Sequence, residues 1–352
     1  MKVLFLSAWY PTKRDAMAGL FVQKHAEAVM QQGADVRVLY TEAKGINWYI
    51  DMWHMWRKLK HEWGLPDVVQ MNVLDKNGLL AWWLNKCYKI PYIIVEHWSG
   101  YLPANFSFRG GWHGKIMKAI ARGAACILPV SQMLEDAMKN CGIENEKWLR
   151  IHNVVDDFFY EPISAIDVPH KTNEKVRLLH VSCFDEKAKN IQGMLRATRK
   201  VAEERQDFEL VLVGTGVDYE MDVDYAKSLD FPCGILHFTG EQTPQQVAQW
   251  MQQSDAFVMF SHYETFAIVL AEAMATGIPI ICTNTTGIAD SIPKECGLQV
   301  NPNDEEALSF AIRNIILNYK SYSSVTIKKY GEQYSYDFVG KKLMGVYQDC
   351  LE

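Results

Sequence analysis

The sequence predicts two doubly wound α/β domains, each built on a parallel sheet. Three observations carry this. Short apolar runs alternate with helix-patterned segments twice over along the chain, the pattern left by parallel strands joined through crossover helices. Residues 156–173, with prolines at 162 and 169, several acids and few long apolar runs, interrupt the alternation near the middle. The 352 residues also exceed what one ordinary core accommodates.

In the first half, residues 2–7 read as a strand and 20–32 as a helix stopped by Gly33. Strands follow near 35–40, 67–71, 92–96, 125–129 and 148–152, each a short run rich in Val, Ile, Leu or aromatic residues. The alternation restarts with strands near 176–182, 208–214, 235–239, 255–260 and 278–283. The expected boundaries are a first domain at 1–160, a linker at 161–175 and a second domain at 176–333, with a helix at about 334–352 closing the chain.

Composition narrows the function. The chain is 49% hydrophobic and 22% charged, as in soluble globular proteins, and its net charge of −6 gives no general attraction to nucleic acid. Eight cysteines are scattered without a Cys-x-x-Cys pair, which fits free thiols in a reducing compartment. The apolar run after Met1-Lys2 is too short for a signal segment, and none reaches membrane-spanning length. The expected location is the cytoplasm, with peripheral contact at the inner face of the membrane left open.

The most informative stretch runs from Ser261 to Pro279. It follows the apolar run 255–260 and places Glu264 in a strand-to-helix turn and Glu272 two turns into an Ala-rich helix that Gly277 and Pro279 stop. The first N–H groups of a helix beginning near Phe266, at Thr265, Phe266 and Ala267, lack internal partners and favour an anion. Glu272, about 10 Å further along the axis at 1.5 Å per residue, suits a diol such as a ribose.

The Glu-x7-Glu pair followed by Ala273-Met274-Ala275-x-Gly277-x-Pro279 resembles the signature of the retaining glycosyltransferases of family 4, the glycosyl transferases group 1. The resemblance extends over nearly the whole chain. It implies the GT-B fold, two Rossmann-like domains facing across a cleft, with the last helix crossing back to the first domain. It also implies a nucleoside diphosphate sugar as donor, a saccharide or lipid-linked hydroxyl as acceptor, no further cofactor, no metal, and a role in bacterial-type polysaccharide or glycolipid biosynthesis as a hexosyltransferase.

Site residues follow from the same resemblance. Glu264, His97 and Lys189 take the catalytic positions, and Glu272, Gly19, Gly214, Gly216, Thr265, Phe266 and Ala267 the donor-binding ones. Gly19 matches a glycine loop that approaches the donor diphosphate, although it equally suits a residue that merely precedes a helix. His97 follows a buried strand at its carboxyl end. Asn153 and Asp156 match an Asn-x-x-Asp before the hinge and read equally as turn formers. Lys189 matches the family lysine, whereas the arginine expected just before it is replaced at Ser182 or Cys183.

Gly214-Thr215-Gly216 lacks the third glycine of a dinucleotide fingerprint, since Tyr219 stands there, so an NAD site is disfavoured. His237 to Gly240 resembles the loop that meets the base through its backbone. Residues 285–290 keep one glycine, Gly287, and end in Asp290 where the family has a glutamate. Asp222-Val223-Asp224 resembles a metal-binding pair but falls at a helix start, where acids are favoured anyway, and is rejected as a metal site.

Residues 47–63 combine four tryptophans with a basic end. Met52, Trp56, Leu59 and Trp63 recur at helical spacing, as in a helix packed on the first domain, while Trp beside Lys and Arg also suits a membrane interface. Arg109, His113, Lys115, Lys118 and Arg122 suit either an anionic acceptor or a solvated face. Two other classes stay open at this point: a sugar-nucleotide-binding partner subunit without turnover, and a GT-B sugar-nucleotide epimerase.

Overall fold

The computed structural model describes residues 1–108, 110–162, 168–170, 175–285 and 287–352. Arg109, Thr286 and residues 163–167 and 171–174 of the expected linker lie outside the described residues. The chain divides into two compact units, Met1–Val154 with Tyr336–Glu352, and Val155–Ser335.

The first unit runs β1 (Lys2–Ser7), α1 (Leu20–Gln31), β2 (Asp35–Leu39), α2 (Ile46–Trp63), β3 (Val68–Asn72), α3 (Gly78–Tyr88), β4 (Tyr92–Glu96), α4 (Gly111–Gly123), β5 (Cys126–Pro129) and α5 (Gln132–Asn140). The second runs β6 (Val176–Val181), α6 (Glu186–Lys189), α7 (Ile191–Glu204), β7 (Phe208–Val213), α8 (Tyr219–Ser228), β8 (Leu236–Gly240), α9 (Pro244–Gln252), β9 (Ala256–Met259), α10 (Ile268–Thr276), β10 (Ile280–Thr283), β11 (Gly297–Val300), α11 (Glu305–Asn318) and α12 (Ser324–Gly331). The final helix, α13 (Tyr336–Asp349), belongs to the first unit.

The first sheet has the order β2-β1-β3-β4-β5, and every pairing is parallel. β3, β4 and β5 are buried along their whole length, which is why they read as unbroken apolar runs. On one face, Val3, Phe5, Ile93, Val95 and Leu128 share a core with Val22 and Val29 of α1 and with Val339 and Leu343 of α13. The last helix packs this tightly because Gly340 lies on α1: a Cβ there would stand 2.4 Å from the Ala28 carbonyl oxygen. On the other face, α2, α3 and α4 lie side by side, with Trp53 edge-on to Trp83 and Gly78 against Ile120.

The strand expected at 148–152 is reduced to one bridge, Ile127 to Trp148. Ile127 N–H donates to the Lys147 carbonyl and Leu149 N–H to that of Ile127, both at 3.0 Å. The next donor in a parallel ladder would be the amide of residue 129, and Pro129 has none.

The second sheet has the order β11-β10-β9-β6-β7-β8, again all parallel. β11 is absent from the sequence expectation. It has four residues, two of them not buried, and opens at Gly297, where a Cβ would stand 1.9 Å from the Ile280 carbonyl oxygen. Residues 155–160, expected in the first domain, group with the second. Val155 N–H donates to the Tyr334 carbonyl and the Tyr160 hydroxyl to that of Gly331, both at 2.9 Å, which tie this stretch to the end of α12 and its following turn.

Candidate active site

In the second unit the expected residues gather at the carboxyl ends of β6, β7 and β9, where open α/β sheets place ligands. α6 is a single turn that ends on Asn190 in the left-handed conformation, φ 51°, before α7 begins. The Glu186 carboxylate accepts from the leading amides of α7, at 2.6 Å from Ile191 N, and so fixes α6 against α7. This turn carries Lys189 inward, to an ion pair with Glu264 in which each side chain is 13% exposed. His262 N–H donates to the Ala188 carbonyl at 2.8 Å and ties the two loops together. Ser261 Oγ donates to Glu264 at 3.3 Å, and Thr283 Oγ1 to the Ser261 carbonyl at 2.8 Å. Ser261 acts locally, three residues before Glu264, whereas Thr283 is not signalled by sequence spacing because it acts through a tertiary contact.

Ser182 and Cys183, the two positions of the expected arginine, differ in role. Ser182 Oγ pairs with His180 Nε2 at 2.8 Å, and His180 donates through Nδ1 to the Val258 carbonyl, also at 2.8 Å. Burial pushes the His180 imidazole down to about 4, with Lys189 adding to the effect against the Val258 hydrogen bond, so it stays neutral. Cys183 is exposed.

The helix carrying Glu272 starts at Ile268, two residues later than expected. Ala267 precedes it in the left-handed region, φ 65°, a conformation alanine adopts only where surroundings impose it. Thr265 and Phe266 therefore stand outside the helix, and the amides that helix geometry leaves without intrahelical partners are those of Ala267, Ile268 and Val269. Phe266 is buried edge-on against Tyr334. Gly287 presses on this turn: a Cβ there would lie 1.9 Å from the Thr265 carbonyl oxygen. Glu272 is half-buried in the second turn of α10.

Gly214 and Gly216 owe their identity to internal packing. A Cβ at Gly214, φ 126°, would stand 2.0 Å from the Ser182 carbonyl oxygen, and one at Gly216 would stand 2.4 Å from that of Phe184. The two glycines close the loop after β7 onto the loop after β6. Asp222 and Asp224 diverge: Asp222 is buried and accepts from Gln192 Nε2 at 3.2 Å, while Asp224 pairs with Lys227 at the surface. Among the described residues no three His, Cys, Asp or Glu side chains are grouped to hold a metal.

In the first unit, Gly19 caps α1 in the left-handed conformation, with the Trp9 carbonyl 2.4 Å from where a Cβ would be. Its close approach is to the Trp9–Tyr10 backbone. His97 is buried, its ring 3.9 Å from Phe21 between centroids, and neither ring nitrogen has a hydrogen-bond partner. Burial, with His25 beside it, holds its imidazole well below the ordinary range, so the ring is neutral and has one donor and one acceptor available.

Beside His97 lies a feature that motif matching misses. Glu96, fully buried, accepts from the amides of Leu74, His97 and Trp98 at 2.8–2.9 Å. Burial pushes its carboxyl up to about 7 against those three hydrogen bonds. Two of the residues it ties, Leu74 and Trp98, line a cavity of about 500 Å³ walled by Trp9, Trp98 and Phe108, with Asp75 and His113 3.6 Å apart at its polar side. Val73, on the cavity wall, has φ 65°, a genuine strain for a β-branched residue. The sequence signal was available: an acid terminates the otherwise apolar run Tyr92–Glu96.

Family models match both halves of the chain, Glycosyltransferase Family 4 over residues 19–157 and Glycosyl transferases group 1 over residues 164–333. The chain belongs to the family 4 type of GT-B glycosyltransferases. The N-acetyl-α-D-glucosaminyl L-malate synthase of Bacillus anthracis is 32% identical over 145 residues, 40% of this chain and 37% of that one. TuaC of Bacillus subtilis, named for teichuronic acid biosynthesis, is 22% identical over 89% of this chain and 88% of its own. The chain spans less than half the length of the first curated relatives it matches. Among solved structures, the Anabaena HepE complex with UDP-glucose superposes with a TM-score of 0.75 at 16% identity, over 99% of this chain and all of that one. In this chain Glu264 lies at the turn before α10 and Glu272 in the second turn of that helix.

Proposed function

We propose that this chain is a retaining glycosyltransferase that moves a hexosyl group from a nucleoside diphosphate donor to a hydroxyl of a saccharide or lipid-linked acceptor in polysaccharide or glycolipid biosynthesis. The observation that carries the reading is the partly buried Lys189–Glu264 pair set at the turn before α10, with Glu272 in the second turn of that helix. The UDP-glucose complex of a protein with the same fold supports the donor class.

In the reaction, the bond from the anomeric carbon to the diphosphate oxygen breaks and its electron pair leaves with the diphosphate. The acceptor oxygen bonds that carbon and passes its proton to the departing diphosphate oxygen. Charge grows on the leaving group, and preorganised donors aimed at it lower the barrier by several kcal/mol. Lys189 and the first-turn amides of α10 supply those donors, Glu264 orients the sugar, and Glu272 accepts from the ribose. In the first unit, neutral His97 offers a hydrogen bond to a substrate hydroxyl, and the Trp9–Trp98 cavity offers aromatic faces with Asp75 for an acceptor. Metal independence is part of the proposal, because Lys189 and backbone amides take the diphosphate charge.

A second reading, a sugar-nucleotide-binding subunit without turnover, draws on Cys183 standing where a cation belongs. One experiment separates the two. The protein is incubated with UDP-, GDP- and ADP-sugars and a glycoside acceptor panel in EDTA, and the product linkage is read by NMR. Transfer with retained anomeric configuration is the expected result. Nucleotide-dependent thermal stabilisation without any product would move the assignment to the binding subunit, and an isomerised donor without acceptor would make it an epimerase.

A further inference from the structure

The outer layer of the first unit carries an apolar surface that the transfer reaction does not use. α2, α3 and α4 cover one face of the sheet, and on α2 the residues buried beneath are Trp48, Met52 and Trp56. The opposite side of α2 leaves Ile46, Tyr49, Ile50 and Trp53 exposed. Its neighbours also expose tryptophan, Trp82 on α3 and Trp112, 81% exposed, on α4. Between α2 and α3 a hollow of about 260 Å³ opens among Tyr49, Trp53, Leu79 and Trp83.

The charges around this surface are one-sided. The three helices carry Arg57, Lys58, Lys60, Lys86, Lys115 and Lys118 against Asp51 and Glu62, with Arg122 paired to Glu144, in a chain with 36 basic and 42 acidic residues. Lysines sit by the protruding rings: Lys86 lies 5.9 Å from the centre of Trp82, and Lys115 5.8 Å from that of Trp112. Among the described residues no helix is long and apolar enough to cross a membrane. An amphipathic layer of this kind lies along an interface, with tryptophan at headgroup depth and cations toward anionic lipid.

We propose that the α2–α3–α4 face binds the surface of an anionic lipid bilayer, with Tyr49, Ile50, Trp53 and Trp82 entering the headgroup region. This assigns the contact to the outward side of α2, so Trp48 and Trp56, inside the fold, take no part. A second copy of the chain is a poorer occupant, because a two-fold contact would set the same cations against one another. The proposal does not rest on the transfer reaction.

The test is flotation of the full chain with vesicles of phosphatidylcholine alone or mixed with phosphatidylglycerol. Binding is expected on the anionic vesicles and is expected to fall as salt rises toward about 1 M, where the screening length is about 3 Å. Trp53→Ala/Trp82→Ala and Lys58→Glu/Lys86→Glu, all at exposed positions, should each weaken binding by about tenfold or more with thermal unfolding unchanged. Absence of flotation on anionic vesicles, or flotation indifferent to both variants, overturns the proposal. So does a dimer in solution that the tryptophan variant dissociates, since the face would then serve a second copy.

Discussion

Lys189 and Glu264 stand 75 residues apart in the chain and meet as an ion pair with each side chain 13% exposed. Burial pulls the Lys189 amine down, but Glu264, Cys183 and Asp185 outweigh it and hold the ammonium above its ordinary value. The lysine is thus charged at neutral pH with its partner in place. Under the proposed function a donor diphosphate would compete with Glu264 for this lysine, and the pair would hold its place until the donor binds.

Glu264→Ala strands a cation that is only 13% exposed. Stability is expected to fall by about 3 kcal/mol, read as a shift in the urea midpoint, and kcat by about 10²–10³-fold. The double variant Lys189→Met/Glu264→Leu should recover most of the stability and none of the activity. Equal loss in both would mean that the pair holds the fold and nothing more.

Glu272→Ala tests the ribose assignment. The expected change is a rise in donor KM of about tenfold or more with little effect on kcat, the loss of one hydrogen bond to a charged group. Wild type and variant should converge on a 2′,3′-dideoxyribose donor, because the contact is then absent from both. A variant that still discriminates the dideoxy donor would place the diol elsewhere.

Much of this architecture is legible in the sequence, for a physical reason. Strands such as Phe208–Val213 sit inside a parallel sheet and have to be apolar almost throughout, so each appears as a run. Glu264 and Glu272 are legible because they share one turn and helix. The rest depends on contacts that leave no spacing: Lys189 finds its carboxylate 75 residues away, and Ser261 finds Thr283 on the next strand. The start of α10 is misplaced by two residues because Ala267 adopts a conformation its type disfavours, beside the backbone approach of Gly287 to Thr265. The missing strand at 148–152 turns on one absent amide, at Pro129, where composition alone suggested pairing.

Glu96 gives the fold a pH signature of known sign. Its carboxyl is raised from 4.5 to about 7 by burial, so the native state holds a proton that the unfolded chain releases. The contribution is full below pH 4.5, falls as pH rises, and is gone above 7, a change of about 3 kcal/mol at 1.36 kcal/mol per unit. His25 and His180, both lowered to about 4 by burial, slope the other way, stabilising above 6.5 and losing that as pH falls toward 4. The informative quantity is therefore wild type minus Glu96→Gln in urea unfolding, which should decline between pH 4.5 and 7 and be flat above. A flat difference throughout would mean that Glu96 is ionised in the fold.

Gly287→Ala should disturb the turn before α10. The added methyl would stand 1.9 Å from the Thr265 carbonyl oxygen, and backbone on that side has to move. A loss of about 2 kcal/mol or more in unfolding free energy is expected, along with weaker nucleotide binding in a titration. Gly33→Ala is the control: its φ of 86° costs about 1 kcal/mol, but the space around it is open and binding should be unchanged. Unchanged nucleotide binding in Gly287→Ala would detach this turn from the donor.

Cys183→Arg asks whether the family's missing cation can be put back. Ser182 is committed to His180, at 2.8 Å, and a larger side chain there would break that bond. Cys183 is exposed and close enough to add to the field on Lys189, so a guanidinium at this position reaches the same region without displacing a partner. A forked donor added beside Lys189 gives a diphosphate two further charge-assisted hydrogen bonds, and donor KM should fall about tenfold. Because Lys189 and the introduced guanidinium would repel, stability without nucleotide should drop slightly and be restored by nucleoside diphosphate, a crossover that thermal unfolding with and without ligand reads directly. A variant with unaltered KM and no ligand-dependent recovery would show that the diphosphate does not pass this loop, and the donor would have to be placed away from the carboxyl end of β6.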